Sequence, residues 1–284
     1  FLTIQEGCDK FCKFCVVPYT RGAEFSRSIN EILNECRELV SNGSREISLL
    51  GQNVNAYNYE GKKLPDLVKA LSKIKNLSRI RYTTSHPVDF SNGLIKMHED
   101  SEKLMPLIHL PVQSGSNKIL NLMNRKHSVE DYLDLIDRLK KINPSIKFSS
   151  DFIIGYPGET DNDFEETLKL LKKVNFINTY SFIYSPRPGT PAAKIKKIDM
   201  SISKHRLEIF QKIADGIKLK YRHNLIKQKS LVLFENRTNS KNEFFGRDEF
   251  SNSVIVKSHE DIIGKIKEVT ITSVNRNTLF GEIN

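Results

Sequence analysis

No apolar run in this 284-residue chain approaches the roughly 20 residues that a membrane-spanning helix needs, so no span is expected. No basic segment leads an apolar stretch at its front, so no signal peptide is expected and a cytoplasmic protein is. There are only four cysteines, three of them within eight positions, which excludes a disulfide framework and points to a metal or redox site in a reducing compartment. No internal repeat or low-complexity tract stands out. The opening residue is Phe1 rather than a methionine, and it begins what reads as a strand. The chain is therefore expected to be cut from something longer.

What is present is a globular composition, with 38% hydrophobic and 27% charged residues and a mean hydropathy of −0.41. The net charge of +10 suits either a nucleic-acid partner or a lysine-rich proteome, and charge does not choose between them.

Short apolar runs alternate with amphipathic stretches as far as about Asn175. LTIQE, EISLLG, RIRYTT, LIHLPV, KFSSDFIIG and TYSFIYS read as strands. Helical patterns lie between them at about 29–42, 64–75, 90–98, 116–142 and 160–174, with a break expected at 125–128. Ser28 and Glu31 have the spacing of a capping box, Gly43 can end that helix, and Thr160 opens another with Asp161 and Asp163. Cys36 falls on the apolar face of the first helix and reads as core. Strands each followed by a helix imply a parallel sheet, either a (β/α)6 open barrel or an open doubly wound sheet. Both place ligands at the carboxyl ends of the strands, where the unusual loops fall. After a basic helix at about 201–222, five short alternating runs suggest a small all-β barrel. The expected domains are 1–221 and 222–284.

The loop EGCDKFCKFCVVPYTRG carries Cys8, Cys12 and Cys15. Three thiolates can hold three irons of a [4Fe–4S] cluster and leave the fourth iron open. Structural zinc wants four ligands, and His86 at the end of the third strand is the nearest histidine, so zinc stays open as the alternative. Small and amide residues Gly51, Gln52 and Asn53 follow the second strand, and Gln113 and Ser114 the fourth. Gly155 and Gly158 follow the fifth, on which Asp151 is a candidate buried acid. His86 and His109 read as structural histidines. Arg21 and Arg187 fall on the ligand side and can grip a carboxylate or a phosphate.

The C-x3-C-x-Phe-C loop after a first strand resembles the radical S-adenosylmethionine (SAM) superfamily. Together with LLGQNVNAY, TTSHP, HLPVQSGS, DFIIGYPGET and FIYSPRPGTPA in this order, it resembles the bacterial tRNA methylthiotransferases that make 2-methylthio-N6-dimethylallyladenosine. The resemblance implies a (β/α)6 partial, open barrel of radical SAM type followed by a TRAM/OB-like barrel that binds RNA. It implies a [4Fe–4S] cluster on Cys8, Cys12 and Cys15 and SAM held by Phe14, Gly51, Gln52, Asn53, Gln113 and Gly155. Phe14 would lie against the adenine of SAM. An adenine in the tRNA anticodon loop would be the substrate, with RNA contacts from Arg21, Arg187, Arg237 and Arg247, the last two beside Phe244 and Phe245. An electron donor such as flavodoxin and a monomeric state are further expectations. The family's auxiliary [4Fe–4S] cluster belongs to an N-terminal domain for which this chain has no cysteines, so the chain is expected to be incomplete for the full reaction. The alternatives are a sister methylthiotransferase for threonylcarbamoyl-adenosine, one for a ribosomal-protein aspartate, and a non-catalytic RNA-binding protein with a structural metal loop.

Overall fold

The computed structural model describes residues 1–283. Six parallel strands form the larger unit, in spatial order equal to chain order: Leu2–Thr3, Glu46–Leu50, Arg79–Tyr82, Leu107–His109, Lys147–Ile154 and Asn178–Ile183. The first three and the last three each hydrogen-bond as a sheet, and the parallel bridge Ile80–Leu104 joins the halves. Among the described residues the first and sixth strands do not pair, so the barrel is open. The first strand is shorter than LTIQE suggests. Gln5–Glu6 turns away to pair with Phe25–Ser26, because the Gln5 side chain is drawn into the neighbouring loop.

Alternation along each strand gives the two faces opposite characters. Ile47, Leu49, Ile80, Tyr82, Phe148, Phe152 and Ile154 point outward and share one core with the helices. Ser48, Arg79, Arg81, His109, Ser149 and Asp151 point inward. The helices Ile29–Ser41, Leu64–Ser72, Asn92–Asp100, Val129–Ile142 and Asp161–Val174 cover the outer face, with Asn117–Leu122 short beside them. The expected caps form: Ser28 with Glu31, and Thr160 with Asp163, each as a reciprocal box. Cys36 is fully buried in the core.

The helix Met200–His223 leads to a closed five-stranded barrel of Lys229–Arg237, Glu243–Arg247, Ser253–Lys257, Ile266–Val274 and Thr278–Ile283. Its own core holds Val232, Phe234, Phe244, Val254, Ile271 and Leu279. The barrel docks on the inward face of the second and third core strands through two buried arginines. Arg79 donates to the carbonyls of Arg247 (2.9 Å) and Leu231 (2.7 Å), and Arg81 to those of Asp248 and Glu249 (both 2.8 Å). Glu46 offsets their charge, 2.8 Å from Arg81 and 3.8 Å from Arg79. Among the described residues no helix is long and apolar enough to cross a membrane.

Candidate functional site

The three cysteines stand on one loop at the carboxyl end of the first strand, and the loop is closed at its base. Gly7 has φ +74°, and a Cβ there would lie 2.0 Å from the Ala23 carbonyl oxygen, so entry to the loop demands glycine. The Cys8 N–H donates to the Gly22 carbonyl at 3.2 Å and ties entry to exit. Gln5 then straps the loop to the second strand. Its Nε2 donates to the Gly7 carbonyl (2.8 Å), and its Oε1 accepts from the backbone N–H groups of Gln52 (3.0 Å) and Asn53 (2.9 Å).

Gln52 completes the strap by accepting from the Gly7 N–H at 2.8 Å, and Gly51 makes room, since a Cβ would meet Gln5 at 2.7 Å. Gly51, Gln52 and Asn53 thus brace the cysteine loop as well as lying beside it. Asn53, 1% exposed, donates to Glu24 (3.0 Å) and Asp89 (2.7 Å), while its own side-chain oxygen is buried and has no partner among the described residues. Lys10 within the loop pairs with the other Asp89 oxygen at 2.7 Å.

On its far side the loop leans on the segment between the two helices that follow the fourth strand. The Lys13 N–H donates to the Met123 carbonyl (3.0 Å), and Asn124 Nδ2 to the Phe11 carbonyl (2.9 Å). Asn124 and Lys126 both have left-handed backbones, at φ 59° and 57°. Between them Arg125 is turned inward, 5% exposed, with Nη1 3.6 Å from Cys12 Sγ and Nη2 donating to the Pro111 carbonyl. Nothing in the local pattern MNRKHS beyond a charged residue in a helix break announces this role, and it escaped the sequence reading.

All three thiols are free, Cys12 buried and Cys8 and Cys15 half-buried. Burial pushes the Cys8 thiol up to about 11 and raises Cys15 as well, with Arg125 acting against the shift at Cys15. Thiols that resist ionisation without a partner become ligands when a metal centre supplies positive charge. Among the described residues no group of three or more His, Cys, Asp or Glu side chains is arranged around one ion. An iron–sulfur cluster instead takes each thiolate on a separate iron, and three thiols on a strapped loop with a guanidinium beside them fit that demand.

The remaining expected residues spread around this loop. Phe14 packs on a small apolar group of Ile119, Met123, Tyr156, Tyr184 and Ala192. Gln113 is 8% exposed with φ 76°, and Ser114 hydrogen-bonds Thr167 at 3.3 Å. Gly155 is left-handed at φ 71° and packs on Ser203. Arg21, the last residue of the short helix Val17–Arg21, and Arg187, in the loop after the sixth strand, are both exposed. Arg237 and Arg247 are not with them. They lie on the small barrel, over the rings of Phe244 and Phe245 at 4.9 and 5.3 Å, and pair with Asp261 and Glu235. Phe244 is core and Phe245 half-buried. Among the described residues, further buried polar atoms without partners are Ser85 Oγ, His86 Nε2, both nitrogens of His127, and the Tyr184 hydroxyl. Burial, reinforced by Arg125, holds both histidines neutral, His86 down to about 2 and His127 to about 4.

The family model described as the radical SAM superfamily matches residues 2–171. The chain belongs to the radical SAM superfamily. A TRAM domain matches residues 226–283 of this radical SAM protein, which are the closed barrel. It is 56% identical over 287 residues to the tRNA-2-methylthio-N(6)-dimethylallyladenosine synthase of Pelagibacter ubique (strain HTCC1062), covering 100% of this chain and 64% of that protein. It is 49% identical to the protein of the same name from Rickettsia canadensis (strain McKiel), covering 100% of this chain and 65% of that one. The chain thus spans a little under two thirds of the length of these relatives. Among solved structures, coproporphyrinogen III oxidase from Escherichia coli, titled a radical SAM enzyme, superposes with TM-score 0.54 at 14% identity over 99% of this chain and 70% of its own. The radical SAM methyltransferase TsrM from Kitasatospora setae gives 0.57 at 15% identity over 68% and 38%. At such identities the likeness concerns the fold.

Proposed function

We propose that this chain is the SAM-cleaving and RNA-binding part of a tRNA methylthiotransferase that converts N6-dimethylallyladenosine to its 2-methylthio form. The observation that carries the reading is the strapped three-thiol loop with Arg125 beside it, in a chain half identical along its whole length to proteins of that name.

Cys8, Cys12 and Cys15 would hold the [4Fe–4S] cluster, which with bound SAM supplies one-electron cleavage of SAM and a 5′-deoxyadenosyl radical. The chain's own residues then bind and orient. Gln5, Gln52 and Gly7 fix the loop, and Arg125 sets charge beside Cys12. Asn53 offers its unpartnered side-chain oxygen to the amino group of SAM, and Gly51 and Gly155 let the strand ends pack closely against Gln5 and Ser203. Phe14 and its apolar neighbours form a platform for the adenine of SAM, with Gln113 held beside it in a left-handed backbone.

We place the domain boundary at 221/222, with 1–221 for catalysis and 222–284 for RNA. On the RNA side, Arg247 over the half-buried Phe245 combines a cation with an aromatic face, as single-stranded nucleic acid requires, and Arg237 adds a second cation above the core ring of Phe244. Arg21 and Arg187 at the mouth would meet phosphates of the anticodon loop. Sulfur delivery by an auxiliary [4Fe–4S] cluster, an electron donor such as flavodoxin, a monomeric state and a cytoplasmic location complete the reading.

Mass analysis of tRNA nucleosides tests it. Cells lacking the gene should lose 2-methylthio-N6-dimethylallyladenosine and accumulate the unthiolated nucleoside, and an unchanged nucleoside profile rejects the assignment.

A further inference from the structure

The inward face of the last three core strands carries a polar and aromatic wall that neither the cysteine loop nor the barrel docking uses. His109 Nδ1 lies 2.9 Å from Ser149 Oγ, and His109 Nε2 lies 3.3 Å from Asp151 Oδ1. Strand register sets Tyr180 beside Asp151 and Phe182 beside Ile153. The Tyr180 ring meets His109 edge-on at 5.8 Å between centroids. On these strands the apolar residues Phe148, Phe152 and Ile154 go to the helices, so Asp151, Tyr180 and Phe182 face the open interior.

Two features set this wall apart from ordinary packing. Tyr180 is 48% and Phe182 60% exposed, so two aromatic faces stand uncovered side by side on a barrel interior. Asp151 is held by one oxygen only in its pair with His109, and 31% of its side chain is accessible. The wall also adjoins the cysteine loop. Ile153, the next inward residue after Asp151, packs on the same apolar group that receives Phe14, and Phe14 sits between Cys12 and Cys15.

The geometry points to His109, Asp151, Tyr180 and Phe182 as the receptor wall for the substrate's N6-alkylated adenine. The assignment rests on the methylthiotransferase reading above. A flat aromatic base stacks on Tyr180, and its single remaining N6–H donates to Asp151, an acceptor that His109 keeps in place. The exposed ring of Phe182 covers the apolar N6 substituent. With N6 at the carboxylate, C2 lies across N1 and is turned away from Asp151. A loop base is unpaired already, so moving it into this interior costs less than opening a duplex would.

The test uses two synthetic anticodon stem–loops that carry N6-methyladenine or N6,N6-dimethyladenine at the target position, the second lacking the N–H. Binding is read by fluorescence anisotropy. The wild-type chain should prefer the first by about tenfold, the worth of one hydrogen bond to a charged, partly exposed acceptor. Asp151→Ala should erase the preference. Tyr180→Leu should weaken both RNAs by about tenfold, the loss of one stacked base, while Tyr180→Phe, which keeps the ring and guards against a folding artefact, should bind as wild type. SAM binding by the cluster-loaded protein should not change in any variant. Retention of the preference by Asp151→Ala together with wild-type affinity in Tyr180→Leu overturns the assignment. Loss of SAM binding in these variants overturns it too, by giving the wall to the cofactor. A wild-type chain that binds neither stem–loop better than a scrambled hairpin rejects the RNA-modifying reading itself.

Discussion

Arg125 Nη1 stands 3.6 Å from Cys12 Sγ, the only one of the three loop thiols that is buried among the described residues. A guanidinium at that distance favours negative charge on the sulfur and on whatever the sulfur binds. It is fixed by the Pro111 carbonyl and by the left-handed residues on either side, so its position does not depend on solvent.

Replacing Arg125 with Met should therefore make the cluster harder to reduce, because a positive charge that stabilises the added electron is gone. Loss of such an outer partner typically costs about 10- to 100-fold in metal affinity or activity. Redox titration followed by electron paramagnetic resonance reads the potential, and iron content after gel filtration reads retention. Arg125→Lys should fall between wild type and Met. An unchanged potential in Arg125→Met would remove the residue from the site.

Arg81 ties the small barrel to the core. Arg81→Met leaves Glu46 without its nearest cation and two barrel carbonyls without donors. Breaking a buried pair in this way costs about 3–5 kcal/mol. Calorimetry should show the barrel's transition separating from that of the larger unit, where wild type unfolds with the two coupled. A single transition at the wild-type temperature would show that the arginine clamp does not hold the domains together.

His98 gives a pH signature that is independent of the cluster. It is 5% exposed, its Nε2 is 2.7 Å from the Tyr82 hydroxyl, and burial lowers its pKa to about 4 from the ordinary histidine value of 6.5. The unfolded chain takes up the proton first as pH falls, so stability is full above about 6.5 and declines towards 4. The difference corresponds to about 3 kcal/mol. Urea unfolding between those limits should show a flatter profile for His98→Gln than for wild type, although the variant begins from a lower stability. Parallel profiles would mean that His98 carries none of the dependence.

Much of this was written locally in the sequence. The capping boxes at Ser28 and Thr160 depend on residues three apart, and both form. The helix break was expected at 125–128, and the intervening segment runs from Met123 to Ser128. Cys36 shows its buried face by helical period.

What escaped depends on distant partners. Arg125 and Cys12 are 113 residues apart, and Arg81 meets the barrel across 167 and 168 residues, so neither arginine differs locally from a surface one. RIRY reads as a strand, which it is, but not as the clamp for a second domain. GQN reads as a ligand loop, and its further part in bracing the cysteine loop, where the Gln52 side-chain Oε1 accepts from the Gly7 N–H, is not legible locally. His109 reads as structural and Asp151 as a candidate buried acid, and only the pairing of the fourth and fifth strands sets them together.

The most direct test of the central claim is anaerobic reconstitution of this chain and its Cys12→Ala variant, followed by reduction with SAM and assay for 5′-deoxyadenosine. The account predicts iron with acid-labile sulfide and 5′-deoxyadenosine in the wild type, and neither in Cys12→Ala. Zinc without sulfide in the wild type, or 5′-deoxyadenosine formation that survives the loss of Cys12, would contradict it.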